Sequence, residues 1–144
     1  MELEELQRRL ISFSFAHYQD DAVEVKDVFK MPGHAGFAYG FSVQTASALD
    51  KWYIRLPPPG VKLQGTADVL RQVAALSVMP DSVPHCTVKW SGDDPQWFGR
   101  PYFIVPQLEG DVVKLTGDGW VEALEKSARV GMAQQAIDAL VKIH

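Results

Sequence analysis

The chain has 144 residues, a length that favours one domain. Its 47% hydrophobic and 22% charged residues are the balance of a folded globular protein rather than a disordered one. Lys and Arg number 14 against 18 Asp and Glu, and the net charge of -4 speaks against generic nucleic-acid or anionic-membrane binding. The single Cys86 excludes an internal disulfide, and the acidic opening Met1-Glu2-Leu3-Glu4-Glu5 is unlike a signal peptide, so a reducing cytoplasmic location is expected.

Leu3, Leu6, Leu10 and Ile11 recur at helical spacing among charged residues. This predicts an amphipathic N-terminal helix reaching about residue 15 or beyond, with early acids and later arginines matched to its dipole. Residues 22–31 begin by alternating, Val23 and Val25 apolar against Glu24 and Lys26, as a half-buried strand does, but Val28 falls out of that register. Pro32-Gly33-His34-Ala35-Gly36-Phe37-Ala38-Tyr39-Gly40 reads as a turn. Phe41-Ser42-Val43-Gln44 resumes the alternation. Lys51-Trp52-Tyr53-Ile54-Arg55-Leu56 is a third strand by its β-branched and aromatic content, giving an antiparallel meander.

Pro57-Pro58-Pro59-Gly60 stops that strand, and Thr66 is placed to cap a helix over residues 67–79 that Pro80 and Pro84 end. Residues 86–90 and 102–105 read as a fourth and fifth strand around the turn Gly92-Asp93-Asp94-Pro95. After Gly110, residues 120–126 and 132–143 carry helical spacing, with Gly131 as a break between two helices. The expected fold class is α+β: a five-stranded antiparallel sheet with one packed helix over residues 21–110. An N-terminal helix, residues 1–20, precedes it and a helical segment, residues 111–144, follows.

Five strands with a helix between the third and fourth form the small lobe of kinase-like folds. By turn chemistry alone Gly33-x-x-Gly36 fits a plain hairpin loop; it also fits a loop whose amides approach phosphate oxygens closely. Tyr53-Ile54-Arg55-Leu56-Pro57-Pro58-Pro59-Gly60 resembles the third strand of the aminoglycoside phosphotransferase / choline kinase-like family, where a late basic residue precedes a proline-glycine loop. Asp68-Val69-Leu70-Arg71-Gln72 is similar to that family's first helix, and Gly99-Arg100-Pro101-Tyr102 to the approach to its fifth strand. Pro106-Gln107-Leu108-Glu109-Gly110 falls where the family has its hinge, and Leu140-Val141-Lys142-Ile143-His144 resembles the end of the helix before its catalytic loop. The resemblance spans about residues 20–144.

The resemblance implies ATP with Mg²⁺ as cofactor. Gly33, His34, Ala35, Gly36 and Phe37 would cover the triphosphate, and Arg55 would reach the α- and β-phosphates, for which a guanidinium fork suits. Gln72 stands where relatives have the glutamate that pairs with the basic residue, so an ion pair is replaced by a singly charged contact at best. Val105 would line the adenine pocket, the Pro106 carbonyl would accept from the adenine amino group, and the Leu108 N–H would donate to the ring. No His-x-Asp segment occurs in the 144 residues. The resemblance therefore implies the nucleotide-binding lobe of a small-molecule phosphotransferase, with base, Mg²⁺ ligands and acceptor contacts in an absent second lobe, and no activity by itself. A non-catalytic binding or interaction module on the same lobe is the alternative, and an unrelated α+β domain a third reading. His17, His34, His85 and His144 show no metal-ligand spacing. Trp120, Val121, Leu124, Val130, Met132, Ile137, Leu140, Val141 and Ile143 lack a partner surface in the chain. A homodimer through the C-terminal helices is expected, with Gly117-Asp118-Gly119 as a flexible joint.

Overall fold

A computed structural model of the chain describes residues 1–32, 37–114 and 119–143. In chain order the elements are α1 (Leu3–Tyr18), β1 (Glu24–Lys30), β2 (Phe37–Gln44), β3 (Leu49–Leu56), α2 (Val69–Ser77), β4 (Trp90–Gly92), α3 (Pro95–Phe98), β5 (Tyr102–Pro106) and α4 (Lys126–Ile143). Single 3₁₀ turns lie at Gly65–Ala67 and Trp120–Ala123. The fold is α+β, with one antiparallel sheet in the order β1-β2-β3-β5-β4. The chain divides into two compact units, Met1–Ser77 with Cys86–Gln107, and Val78–His85 with Leu108–His144.

One face of the sheet in the first unit is closed by α1. Leu6, Leu10 and Phe13, at i, i+4 and i+7, meet Tyr39, Phe41 and Val43 of β2, Trp52, Ile54 and Leu56 of β3, and Tyr102 and Ile104 of β5. Each such side chain contributes roughly 1.5–3 kcal/mol by leaving water. Leu3 and Ile11 of the expected stripe are exposed instead. The expectation of one packed helix is therefore corrected: helices lie on both faces. On the second face α2 brings Val69, Leu70 and Val73 against Phe103, Val105 and Tyr53. The reason is strand parity, since alternate residues of β3 and β5 point apolar groups to opposite faces.

The register of β1 slips between Lys26, opposite Ser42, and Phe29, opposite Gly40. Three steps on β1 thus answer two on β2, and Asp27 takes φ +53° to make the bulge. The bulge moves the side-chain phase by one residue, so Val28 packs on the same core as Val23 and Val25. It also lays the Phe29 ring across Gly40, where a Cβ would come within 2.3 Å of the ring.

Several expected boundaries change. Thr66 lies in the first 3₁₀ turn; the α2 cap is Asp68, whose Oδ1 accepts from the Arg71 N–H at 3.0 Å. The fourth strand begins at Trp90 rather than residue 86, anchored just before by Lys89 N–H to Ile104 O at 2.8 Å. Asp94 caps the short α3, which ends at Gly99 with φ +69°, and the neighbouring Arg100 donates to Pro57 O at 3.2 Å, tying down the proline stretch. In the second unit α4 runs unbroken through Gly131, because glycine costs only about 1 kcal/mol against alanine inside a helix. Residues 120–126 hold one 3₁₀ turn in place of the expected helix. Among the described residues no helix is long and apolar enough to cross a membrane.

Candidate functional site: an apolar cleft holding one arginine

Where α2 leaves the second sheet face uncovered, a cleft of about 490 Å³ opens in the first unit, within the size range of small-molecule sites. Tyr53 and Arg55 of β3 and Phe103 and Val105 of β5 form its floor by strict alternation. Gln72, Ala75 and Leu76 of α2 form one wall, and Met31, Ala38 and Cys86 complete the rim. Ala38 sits directly opposite Arg55 in the β2–β3 register, and its small side chain leaves the guanidinium room.

Among the described residues, Arg55 is the one charged residue lining this cleft. It is half-buried and makes no hydrogen bond or ion pair among the described residues. A guanidinium held among apolar walls with five unused donors is suited to an anion, and to a planar, bidentate one above all. Gln72 lines the same cleft, but its Nε2 donates to Thr66 O at 3.0 Å and no hydrogen bond joins it to Arg55. Its side-chain oxygen is left as an acceptor. Among the described residues no carboxylate lines the cleft, so none of these lining residues offers Mg²⁺ a charged oxygen.

Val105, almost fully buried, belongs to the floor. Pro106 ends β5 opposite Trp52. Gln107 N–H donates to Lys51 O at 2.9 Å and Lys89 N–H to Ile104 O, so Gln107 and Val105 turn their backbone groups to β3 while Pro106 and Ile104 turn theirs the other way. β4 does not reach Pro106, so its missing N–H costs no ladder bond, and its carbonyl points away from β3. Leu108 is exposed and opens the second unit. Gly33, His34, Ala35 and Gly36 lie outside the described residues, and of Phe37 only the backbone is described, opening β2 opposite Leu56. Arg55, Gln72 and Val105 are thus brought together. The sequence reading missed Tyr53, Phe103, Leu76 and Cys86 as walls, although the period-two spacing of 53 with 55 and 103 with 105 carries that signal.

No family model, curated protein or solved structure matches the chain.

Proposed function

We propose that the cleft binds a nucleotide, as the nucleotide-binding lobe of an ATP-dependent small-molecule phosphotransferase would. Arg55 serves the phosphates and Val105 and Leu76 pack on the base. The observation that carries this reading is the Arg55 guanidinium, without a hydrogen bond or ion pair among the described residues, in a mostly apolar cleft. It is supported by five strands with a helix between the third and fourth, and by Val105 in the cleft floor beside Pro106, whose carbonyl would accept from an exocyclic amino group. The Gly-rich residues 33–37 would cover the phosphates, and the Leu108 N–H would donate to the ring. The Mg²⁺ that accompanies such a nucleotide finds no carboxylate among the described residues of this cleft. That observation favours the second reading, a binding module without catalysis, for the chain by itself.

Titration with ATP followed by amide and side-chain NMR tests the proposal. Resonances of Tyr53, Phe103 and Val105 are expected to move with a dissociation constant in roughly the millimolar range, and Arg55→Ala to weaken ATP about tenfold, near 1.4 kcal/mol, while leaving adenosine unchanged. Equal ATP affinity in Arg55→Ala overturns it. Release of γ-phosphate above buffer that disappears in Arg55→Ala would show instead that the chain is a complete catalyst.

A further inference from the structure

On the sheet face opposite the cleft, a second cavity of about 490 Å³ is lined by His17 and Tyr18 at the end of α1, Asp50 and Trp52 of β3, and Lys89 and Trp90 at the start of β4. Asp50 and Trp52 share this face by strand parity. Trp52 Nε1–H donates to the Tyr18 oxygen at 2.7 Å, and Tyr18 O–H donates in turn to Asp50 Oδ2 at 2.8 Å. Burial, and next the bond to Asp50, hold the Tyr18 hydroxyl well above its usual range, so it remains a donor at neutral pH. This chain of bonds fixes the Asp50 carboxylate yet uses one of its roughly four acceptor sites.

Lys89 stands across the same cavity. Its ammonium lies 5.6 Å from the centre of the Trp90 ring and takes part in no ion pair or hydrogen bond among the described residues, with Asp50 or otherwise. Trp52 and Trp90 pack with ring centres 4.9 Å apart. His17 stacks on Phe13 and donates from Nδ1 to Phe13 O at 2.8 Å, which leaves Nε2 of the neutral ring as an acceptor. A carboxylate and an ammonium thus line one cavity together with two indoles, and they form no ion pair with each other.

We propose that this cavity binds a small zwitterion, with its ammonium on Asp50, its carboxylate on Lys89 and an aromatic body against Trp52 and Trp90. Charge selects this class over its halves. A simple amine meets Lys89 as a like charge and a simple acid meets Asp50 as one, whereas a zwitterion answers both. Aromatic rings stack on indole in offset or edge geometry, which favours a flat body beside the charged end. The inference is independent of the nucleotide cleft, since the two cavities share no lining residue.

L-phenylalanine, phenethylamine and 3-phenylpropionate test it, because they share one ring and differ only in charge. Binding to the full chain is read from the indole N–H resonances of Trp52 and Trp90. Phenylalanine is expected to shift both, with each single-charge probe about tenfold weaker. Lys89→Gln, at an exposed position that leaves the core intact, is expected to weaken phenylalanine and phenylpropionate and to spare or improve phenethylamine. Asp50→Asn is expected to weaken phenylalanine and phenethylamine, and the Lys89 variant carries the test if loss of the Tyr18 bond loosens α1. No indole shift with phenylalanine overturns the proposal, as do equal affinities for all three probes or an unchanged preference in Lys89→Gln.

Discussion

Asp27 and Tyr18 each hold a geometry that one substitution can probe. Asp27 sits at φ +53°, a region where a Cβ crowds the following carbonyl and which Asp tolerates better than most residues. Asp27→Val is expected to lower unfolding stability by about 1–2 kcal/mol, since a β-branched side chain is an outlier there, while Asp27→Gly holds or raises it slightly. Urea denaturation midpoints check both. Tyr18 has a folded pKa raised above its ordinary value of 10.0, by burial first and by its bond to the Asp50 carboxylate second. The stability tied to that shift is fully present below about pH 10 and is lost as pH rises from there toward the folded value. Tyr18→Phe should therefore flatten the fall in denaturation midpoint above about pH 10 while lowering stability near neutrality by about 1 kcal/mol for its two lost bonds. Tyr39 and Tyr102 are also raised by burial, so part of the alkaline slope persists in the variant. An unaltered slope in Tyr18→Phe would remove Tyr18 from the account.

At the scale of elements, α1 is the closure of the core rather than an appendage. Phe13 is nearly fully buried and meets Trp90, Trp97, Phe98 and Tyr102 edge-on or tilted, at ring-centre distances of 5.4 to 5.8 Å. Phe13→Ala is expected to cost about 3–5 kcal/mol by calorimetry or urea denaturation, the range for removing a buried aromatic. Phe15→Ala, two residues on and exposed, should cost well under 1 kcal/mol. Equal losses at the two positions would mean α1 does not pack as described. The existence of α1, and its amphipathic character, could be read from Leu6 and Leu10. That Leu3 and Ile11 would be left out and Phe13 taken in depends on which arc meets the sheet. Val28 teaches the same lesson for a strand: period two alone makes it an exception, and only the bulge at Asp27 returns it to the core.

For the whole molecule, α4 is the element with the least cover. No residue of this 18-residue helix is buried, and Val130, Ile137, Leu140 and Val141 are each more than half exposed. Wound at 100° per residue, Val130, Ala133, Ile137, Leu140 and Val141 fall within an arc of about 100°, flanked on one edge by Gln134, Ser127, Asp138 and Lys142. An apolar arc of this size in water favours association with a like surface. Light scattering across a concentration series is expected to show self-association that Ile137→Asp abolishes, and a constant mass of 16.0 kDa at every concentration would refute it.

Short-range periodicity was sufficient for the α+β class, the five strands, the antiparallel meander and the helix between β3 and β5, because alternation and 3.6-residue spacing are properties of neighbouring residues. The family resemblance, not periodicity, singled out Arg55, Gln72 and Val105, which share one cleft although 50 residues separate the first from the last. Pairing across the sheet decided the rest. The bulge at Asp27 and the late start of β4 both follow from pairing with other strands. So does the cavity that joins Asp50 and Trp52 of β3 to Lys89 and Trp90, far along the chain. Charges and rings far apart along the chain meet only when the sheet forms, and the free energy that brings them together comes from burying Leu6, Phe13 and Ile54, not from the groups themselves.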